Sequence, residues 1–313
     1  MSSPLILKAL LVGLLSVVAN AYVGPGKVTG VTTVHDPSMC KRGDGTYFIF
    51  STAPGIQIIT SKDRTAWTSP GVMFPNGAAT WTDAYTGTSN GNLWAPDCYW
   101  DGNQFWVWYS ASSFGSRVSA IFLATSTTGN PGTWSNKGLV TSTTNSSNYN
   151  AIDPNLIRVS NSAWYLTFGS FWTGIKIAQL HPSNGMLYDS TVTSLASRSN
   201  NAVEGSSLYS HGGYYYLFTS WDACCKGTSS TYNIRVGRSK TLLGPYVDAS
   251  GVSLLNGGGT LVLPSHDGIT GPGGQDIFED TDGPLLVYHY YTSSGSYLGI
   301  NLLDFSSGWP VVA

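Results

Sequence analysis

The sequence predicts an all-β chain, a single-domain five-bladed β-propeller, on three observations. First, one framework recurs five times. Asp36, Trp94, Asp153, Glu204 and Gln275 stand eleven residues before Tyr47, Phe105, Trp164, Tyr215 and Leu286, each within an apolar run. Second, these five positions are separated by 58, 59, 51 and 71 residues, room in each interval for four short strands with their loops. Third, the apolar runs are short and bounded by Gly, Asn, Asp and Ser, and no stretch reads as a long amphipathic helix.

Taken in order, residues 1–21 read as a secretory signal peptide and not as part of the fold. Lys8 precedes an apolar run from Ala9 to Val18, and Ala19-Asn20-Ala21 fits a small-residue cleavage site before Tyr22. That run is too short for the roughly 30 Å of a bilayer core. The protein is therefore expected to be secreted and extracellular, with residues 22–313 forming the propeller.

In each unit a turn leads into the second strand: Asp44-Gly45, Asp101-Gly102, Asn161-Ser162, Gly212-Gly213 and Asp282-Gly283. Third strands are expected around Ile56–Ser61, Ser119–Ser126, Ile175–Leu180, Tyr232–Ser239 and Tyr297–Leu303. Trp67, Trp134 and Trp309 read as packing for the outer blades. The segment from Tyr22 to Thr33 is expected to close the ring against the last blade, covering an otherwise open edge. Cys40, Cys98, Cys224 and Cys225 can pair in three ways in an oxidising compartment. Asn145-Ser146-Ser147 is a sequon for N-glycosylation.

Only 10% of residues are charged and the formal net charge is -2. That balance offers no basic field for nucleic acid and no polybasic patch for a membrane. Low charge with 11 Trp and 18 Tyr suits a neutral, polyhydroxylated partner, although many extracellular β proteins share the composition. Nothing in the chain calls for oligomerisation, and a monomer is expected.

In a propeller the innermost strands border a central channel, so residues at one repeat position converge on the axis. Asp36, Asp153 and Glu204 would then meet at one mouth, with Trp94 and Gln275 completing the ring. Asp before Pro, as in Asp36-Pro37 and Asp153-Pro154, is by itself an ordinary turn device. Three acids at one repeat position, out of 17 Asp and Glu in all, point instead to chemistry. Glycoside hydrolysis needs one protonated and one ionised carboxyl, and a third acid beside the first raises its pKa by repulsion.

Four segments carry a family resemblance: His35-Asp36-Pro37, Trp94-Ala95-Pro96-Asp97, Tyr149-Asn150-Ala151-Ile152-Asp153-Pro154 and Val203-Glu204-Gly205. In order and spacing they resemble glycoside hydrolase family 43, and within it the fungal endo-1,5-α-L-arabinanases. The resemblance implies inverting hydrolysis of α-1,5-linked arabinofuranose in linear arabinan, a pectin side chain, with no cofactor required for the chemistry. It implies Asp36 as general base, Glu204 as general acid, and Asp153 as the residue that tunes and orients Glu204. It further implies that His35, Trp94, Phe114, Asn150 and Ser170 line the sugar site. Many relatives hold a calcium ion on the axis through a His in a Gly-Pro-Gly-His segment. Here the segment reads Gly271-Pro272-Gly273-Gly274-Gln275, leaving Gln275, His266 and His289 as substitute candidates. An exo-acting arabinofuranosidase, a β-xylosidase on the same scaffold and a non-catalytic carbohydrate-binding propeller are the alternatives the residues leave open.

Overall fold

A computed structural model describes residues 22–87 and 91–313. The predicted signal peptide, residues 1–21, lies outside the described residues.

The second strands of the five units are apolar on both faces because each blade is packed on both sides. In Tyr47–Ser51, Phe48 and Phe50 face the second blade while Tyr47 and Ile49 face the fifth, the period of two that a pleated strand imposes. Phe105–Ala111 divides in the same way, with Phe105, Val107 and Tyr109 toward the first blade and Trp106 and Trp108 toward the third. Five buried clusters result, one between each pair of neighbouring blades. This dry packing holds the ring together.

Each blade is an antiparallel meander whose innermost strand borders the axis. These strands are Ser38–Lys41, Asn92–Trp100, Asn155–Ser160, Val203–His211 and Thr270–Asp280. Each touches the next, and the fifth returns to the first, so the five-bladed propeller expected from the repeat is the observed fold. Trp67, Trp134 and Trp309 pack into the interblade clusters as expected.

The start of the described chain acts as a staple between the last blade and the first. Gly26 N–H donates to Ile300 O and Leu298 N–H donates to Thr32 O, both at 2.9 Å. Thr29–Gly30 meanwhile runs parallel to Ala66 and Trp67 at the rim of the first blade. The segment therefore pairs with the last blade, as expected, and with the first as well. Cys40 and Cys98 form a disulfide between the first two innermost strands, and Cys224 bonds its neighbour Cys225. One short helix, Ala79–Thr86, follows the first blade; it has no capping side chain to announce it in the sequence.

Candidate active site

Each blade enters its innermost strand through a residue in the left-handed region. These are Asp36, Ala95, Asp153, Gly205 and Gly274, with φ of 47°, 39°, 58°, 55° and 54°. The turn directs each N–H toward the preceding blade, where a side chain receives it. Thr52 Oγ1 accepts from Ala95 (2.8 Å), Ser110 Oγ from Asp153 (3.0 Å), Ser220 Oγ from Gly274 (2.9 Å) and His289 Nδ1 from Asp36 (3.0 Å). The fifth N–H, from Gly205, goes to the carboxylate of Asp153 at 3.1 Å. A closed ring of blade-to-blade hydrogen bonds thus sets the mouth of the channel.

This geometry corrects the equal-offset alignment. The innermost strands of blades two, four and five carry bulges, between Trp94 and Asp97, Glu204 and Ser207, and Gly273 and Asp276. A bulge adds a residue without adding a pair. The left-handed positions at Ala95, Gly205 and Gly274 put Trp94 and Glu204 one residue before, and Gln275 one residue after, the backbone position of Asp36. In blades two and four the turn into the second strand is shorter than in blade one, where Lys41 pairs with Tyr47, since Trp100 pairs with Phe105 and Ser210 with Tyr215. The three acids still converge. Asp36 and Asp153 line an axial cavity of about 40 Å³ together with Gly205, Tyr232 and Gln275, and the charge of Asp36 acts on both Asp153 and Glu204.

The three carboxyls sit in different environments. Glu204 is buried; Tyr232 donates its O–H to Oε1 (2.7 Å) and Ser170 donates to Oε2 (2.5 Å). Burial raises the pKa of Glu204, the two O–H donors pull it back, and the charge of Asp36 adds to the rise. Asp153 is pushed well above the usual carboxylate range, first by burial and then by repulsion from Glu204 and Asp36. Its single N–H donor offsets less than the two hydroxyls on Glu204 do. Asp36 is more open than Glu204, with its side chain 21% exposed. Thr52 donates to its Oδ2 at 2.8 Å, so one threonine hydroxyl both accepts from Ala95 and orients Asp36.

His289 is fully enclosed, and burial, aided by its neighbour His35, holds its pKa well below the ordinary value. It is therefore neutral. With Nδ1 accepting from Asp36, its proton is assigned to Nε2, which faces Tyr291 Oη at 3.1 Å. His35 stacks on His289 at 4.0 Å between centroids, with Nε2 3.6 Å from Asp36 Oδ2.

The remaining predicted residues divide. Ser170 is at the site, but its hydroxyl is committed to Glu204. Asn150 is buried with its side-chain oxygen unpartnered, and it does not line the axial cavity. Phe114 is 84% exposed, on the loop that leaves Phe105–Ala111 at the same end as the acids. Trp94 is half-buried and pairs across the strand with Ser110. Trp221 is buried between blades three and four with Arg198 and Arg235 against its ring. Tyr232, Thr52 and Tyr291 were not singled out by sequence reasoning. For Thr52 a signal existed: Thr52, Ser110 and Ser220 stand five residues after Tyr47, Phe105 and Tyr215.

The sequence model of Glycosyl hydrolases family 43 matches residues 27–310. The chain belongs to this family. The family-43 chain is 43% identical to the probable arabinan endo-1,5-α-L-arabinosidase A of Aspergillus flavus, covering 96% of this chain and 98% of that protein. It is also 43% identical to the extracellular endo-α-(1->5)-L-arabinanase 1 of Bacillus subtilis, over 88% of this chain and 87% of the relative. Among solved structures, an exo-1,5-α-L-arabinanase from a bovine ruminal metagenomic library superposes with a TM-score of 0.85. Its identity is 36%, and the match covers 92% of this chain and 99% of that one.

Hydrolysis in family 43 requires no cofactor, and the three candidates for an axial calcium, Gln275, His266 and His289, are each engaged by protein groups, although His289 lies within ligand distance of His35 and Asp36. Calcium takes six to eight oxygen ligands. Of the three candidates only Gln275 offers an oxygen, and that oxygen accepts from Ser220 (2.8 Å) while the amide nitrogen donates to Gly205 O (2.5 Å). His289 is held by Asp36 and Tyr291. His266 lies apart, against Pro264 and the ring of Tyr22.

Proposed function

We propose that the mature chain is a secreted, monomeric hydrolase that cleaves α-1,5-L-arabinofuranosidic bonds within linear arabinan, by inversion. The observation that carries this reading is the contrast between two carboxyls at one mouth. Glu204 is buried with a raised pKa and fits a proton donor; Asp36 is more open and hydrogen-bonded as an acceptor, and fits a base. Asp36 takes a proton from water as the water oxygen attacks the anomeric carbon. The bond from that carbon to the leaving sugar oxygen breaks, and Glu204 gives its proton to that oxygen. Asp153 holds the Gly205 N–H beside Glu204, and repulsion between the two neighbouring carboxyls disfavours ionising both, so that a proton is retained between them. An inverting pair of this kind stands roughly 6.5–9.5 Å apart to admit the water.

Endo action is favoured by the names of the Aspergillus flavus and Bacillus subtilis relatives, while the ruminal relative's name makes exo action the second reading. Secretion rests on the signal-like residues 1–21 and on the word extracellular in the Bacillus subtilis relative's name. Among the described residues no helix is long and apolar enough to cross a membrane.

The test is hydrolysis of debranched arabinan by the native chain and by Glu204→Gln, with products resolved by length. Early release of short oligomers, reduced about 10²–10⁴-fold in the variant, supports the proposal. Arabinose as the sole early product makes the enzyme exo-acting. Binding without cleavage overturns the enzymatic reading.

A further inference from the structure

The loop between Tyr214–Trp221 and Asn233–Ser239 carries the bonded pair Cys224–Cys225 to the residues that hold Asp36. The N–H of Cys225 donates to Tyr291 Oη at 2.9 Å, and Cys225 Sγ lies 3.7 Å from His35 Nε2. From Tyr291 the contacts run to His289 Nε2 (3.1 Å) and from His289 Nδ1 to the N–H of Asp36. From His35 they run to Asp36 Oδ2 at 3.6 Å. Two short routes therefore connect this disulfide to the same carboxylate.

The covalent ring closed by two adjacent cysteines restricts the backbone between them. Here it accompanies a left-handed Cys225, φ 65°, a conformation that non-glycine residues otherwise avoid. In that conformation the Cys225 N–H reaches Tyr291. Neither Cys224 nor Cys225 belongs to an interblade cluster, whereas Cys40 is buried in one and Cys98 packs against it. Cys225 is exposed and Cys224 half-buried, while Cys40 is 3% exposed. A soluble thiol reaches the first pair much more readily than the second.

We propose that the Cys224–Cys225 disulfide is a positioning element for Asp36, and that a dithiol reductant lowers turnover by opening it. The proposal rests on Asp36 being the general base. In the reduction, a thiolate of the dithiol attacks one cysteine sulfur and forms a mixed disulfide as the Cys224–Cys225 bond breaks. The second thiol then resolves it. The dithiol loses two electrons and two protons and leaves as its own cyclic disulfide, and Cys224 and Cys225 become thiols. Cys225 is then free to leave the left-handed region, Tyr291 loses the Cys225 N–H, and the rings of His35 and His289 lose their lateral support. Misplacement of a catalytic group by about 1 Å can cost about 100-fold; a smaller displacement here is expected to cost about tenfold in kcat.

The experiment uses the full chain with debranched arabinan as substrate and dithiothreitol as reductant. Titration of free thiols under native conditions is expected to reveal two and not four. At that point kcat should have fallen about tenfold with KM within about twofold, and reoxidation should restore it. Cys224→Ala/Cys225→Ala should reproduce the loss and be indifferent to dithiothreitol. Tyr291→Phe, which keeps the disulfide but removes the acceptor of the Cys225 N–H, should also lower kcat; circular dichroism establishes that both variants are folded. An unchanged kcat after two thiols appear, or in folded Tyr291→Phe, overturns the proposal. So does the simultaneous appearance of four thiols. Asp36→Asn, run in parallel, separates the two ideas. If Asp36→Asn is inactive while the reduced enzyme is unimpaired, only the positioning role fails; if Asp36→Asn stays active, the base assignment itself fails.

Discussion

The carboxylate of Asp153 accepts the backbone N–H of Gly205 at 3.1 Å, the place that a side-chain hydroxyl or imidazole takes at the other four blade junctions. Blade three cannot supply a hydroxyl because Gly169 stands where Thr52, Ser110 and Ser220 stand in their blades. Its φ is 130°, and an added Cβ would lie 2.5 Å from Gly174 O. Asp153 therefore has a structural bond to keep as well as a carboxyl coupled to Glu204, and substitutions separate the two.

Asp153→Asn retains an acceptor for Gly205, whereas Asp153→Ala leaves that N–H unpaired at a cost of about 1–3 kcal/mol. The Ala variant should melt several degrees below the Asn variant. In both, the second carboxyl of the pair is gone and with it the repulsion that resists ionising both, so the remaining Glu204 should lose its proton at lower pH than the pair loses its last one. The alkaline limb of kcat/KM against pH, which reports the acid, should move down.

Tyr232→Phe should move that limb the other way. The Tyr232 O–H donates to Glu204 Oε1 and lowers its pKa by favouring the ionised form. Removing the donor raises the pKa, and activity should persist to higher pH even as its maximum falls. Equal displacement of the limb by Tyr232→Phe and Asp153→Asn would contradict this electrostatic account.

Gly274→Ala should cost about 100-fold in kcat. Gly274 has φ 54°, and a Cβ there would overlap Asp36 Oδ1 and crowd the His289 ring. Only glycine allows this backbone to pass beneath the base. Gly24→Ala is the control, since a Cβ at Gly24 meets nothing within 4 Å; its kcat and melting temperature should match the parent.

Below the mouth, the buried acids Asp97 and Asp276 both reach the hydroxyl of Ser38, at 3.4 and 3.0 Å. Asp276 also accepts from the N–H of Met39, and Asp97 from that of Leu156. Burial raises Asp276 to about 6, from an ordinary 3.8. The folded chain therefore holds this proton more tightly than the unfolded chain does. Its contribution to stability is fully present below pH 4 and declines as pH rises through about 6. Asp276→Asn keeps an acceptor and does not ionise, so its melting temperature should fall less than the parent's between pH 4 and 7. A parallel fall in both proteins would show that Asp276 does not titrate in that window.

By itself the sequence determined the number of blades, the second strands and the three acids. Those features follow from local rules: strands packed on both faces must be apolar throughout, and each unit repeats its turn and strand at one offset, with an acid there in three of the five. Tyr47 through Ser51 shows this directly, since its alternate side chains enter two different interblade clusters. The tertiary structure alone decided which atoms surround each acid. The left-handed turns at Ala95, Gly205 and Gly274 put Trp94, Glu204 and Gln275 off the equal-offset ring, and where the backbone turns depends on how each strand meets its neighbours. Tyr232 reaches Glu204 within blade four from the end of the loop before Asn233–Ser239, and His289 reaches Asp36 across 253 residues because closing the ring places the last blade beside the first. Contacts made by closure carry no local periodicity, so no pattern in the chain announces them.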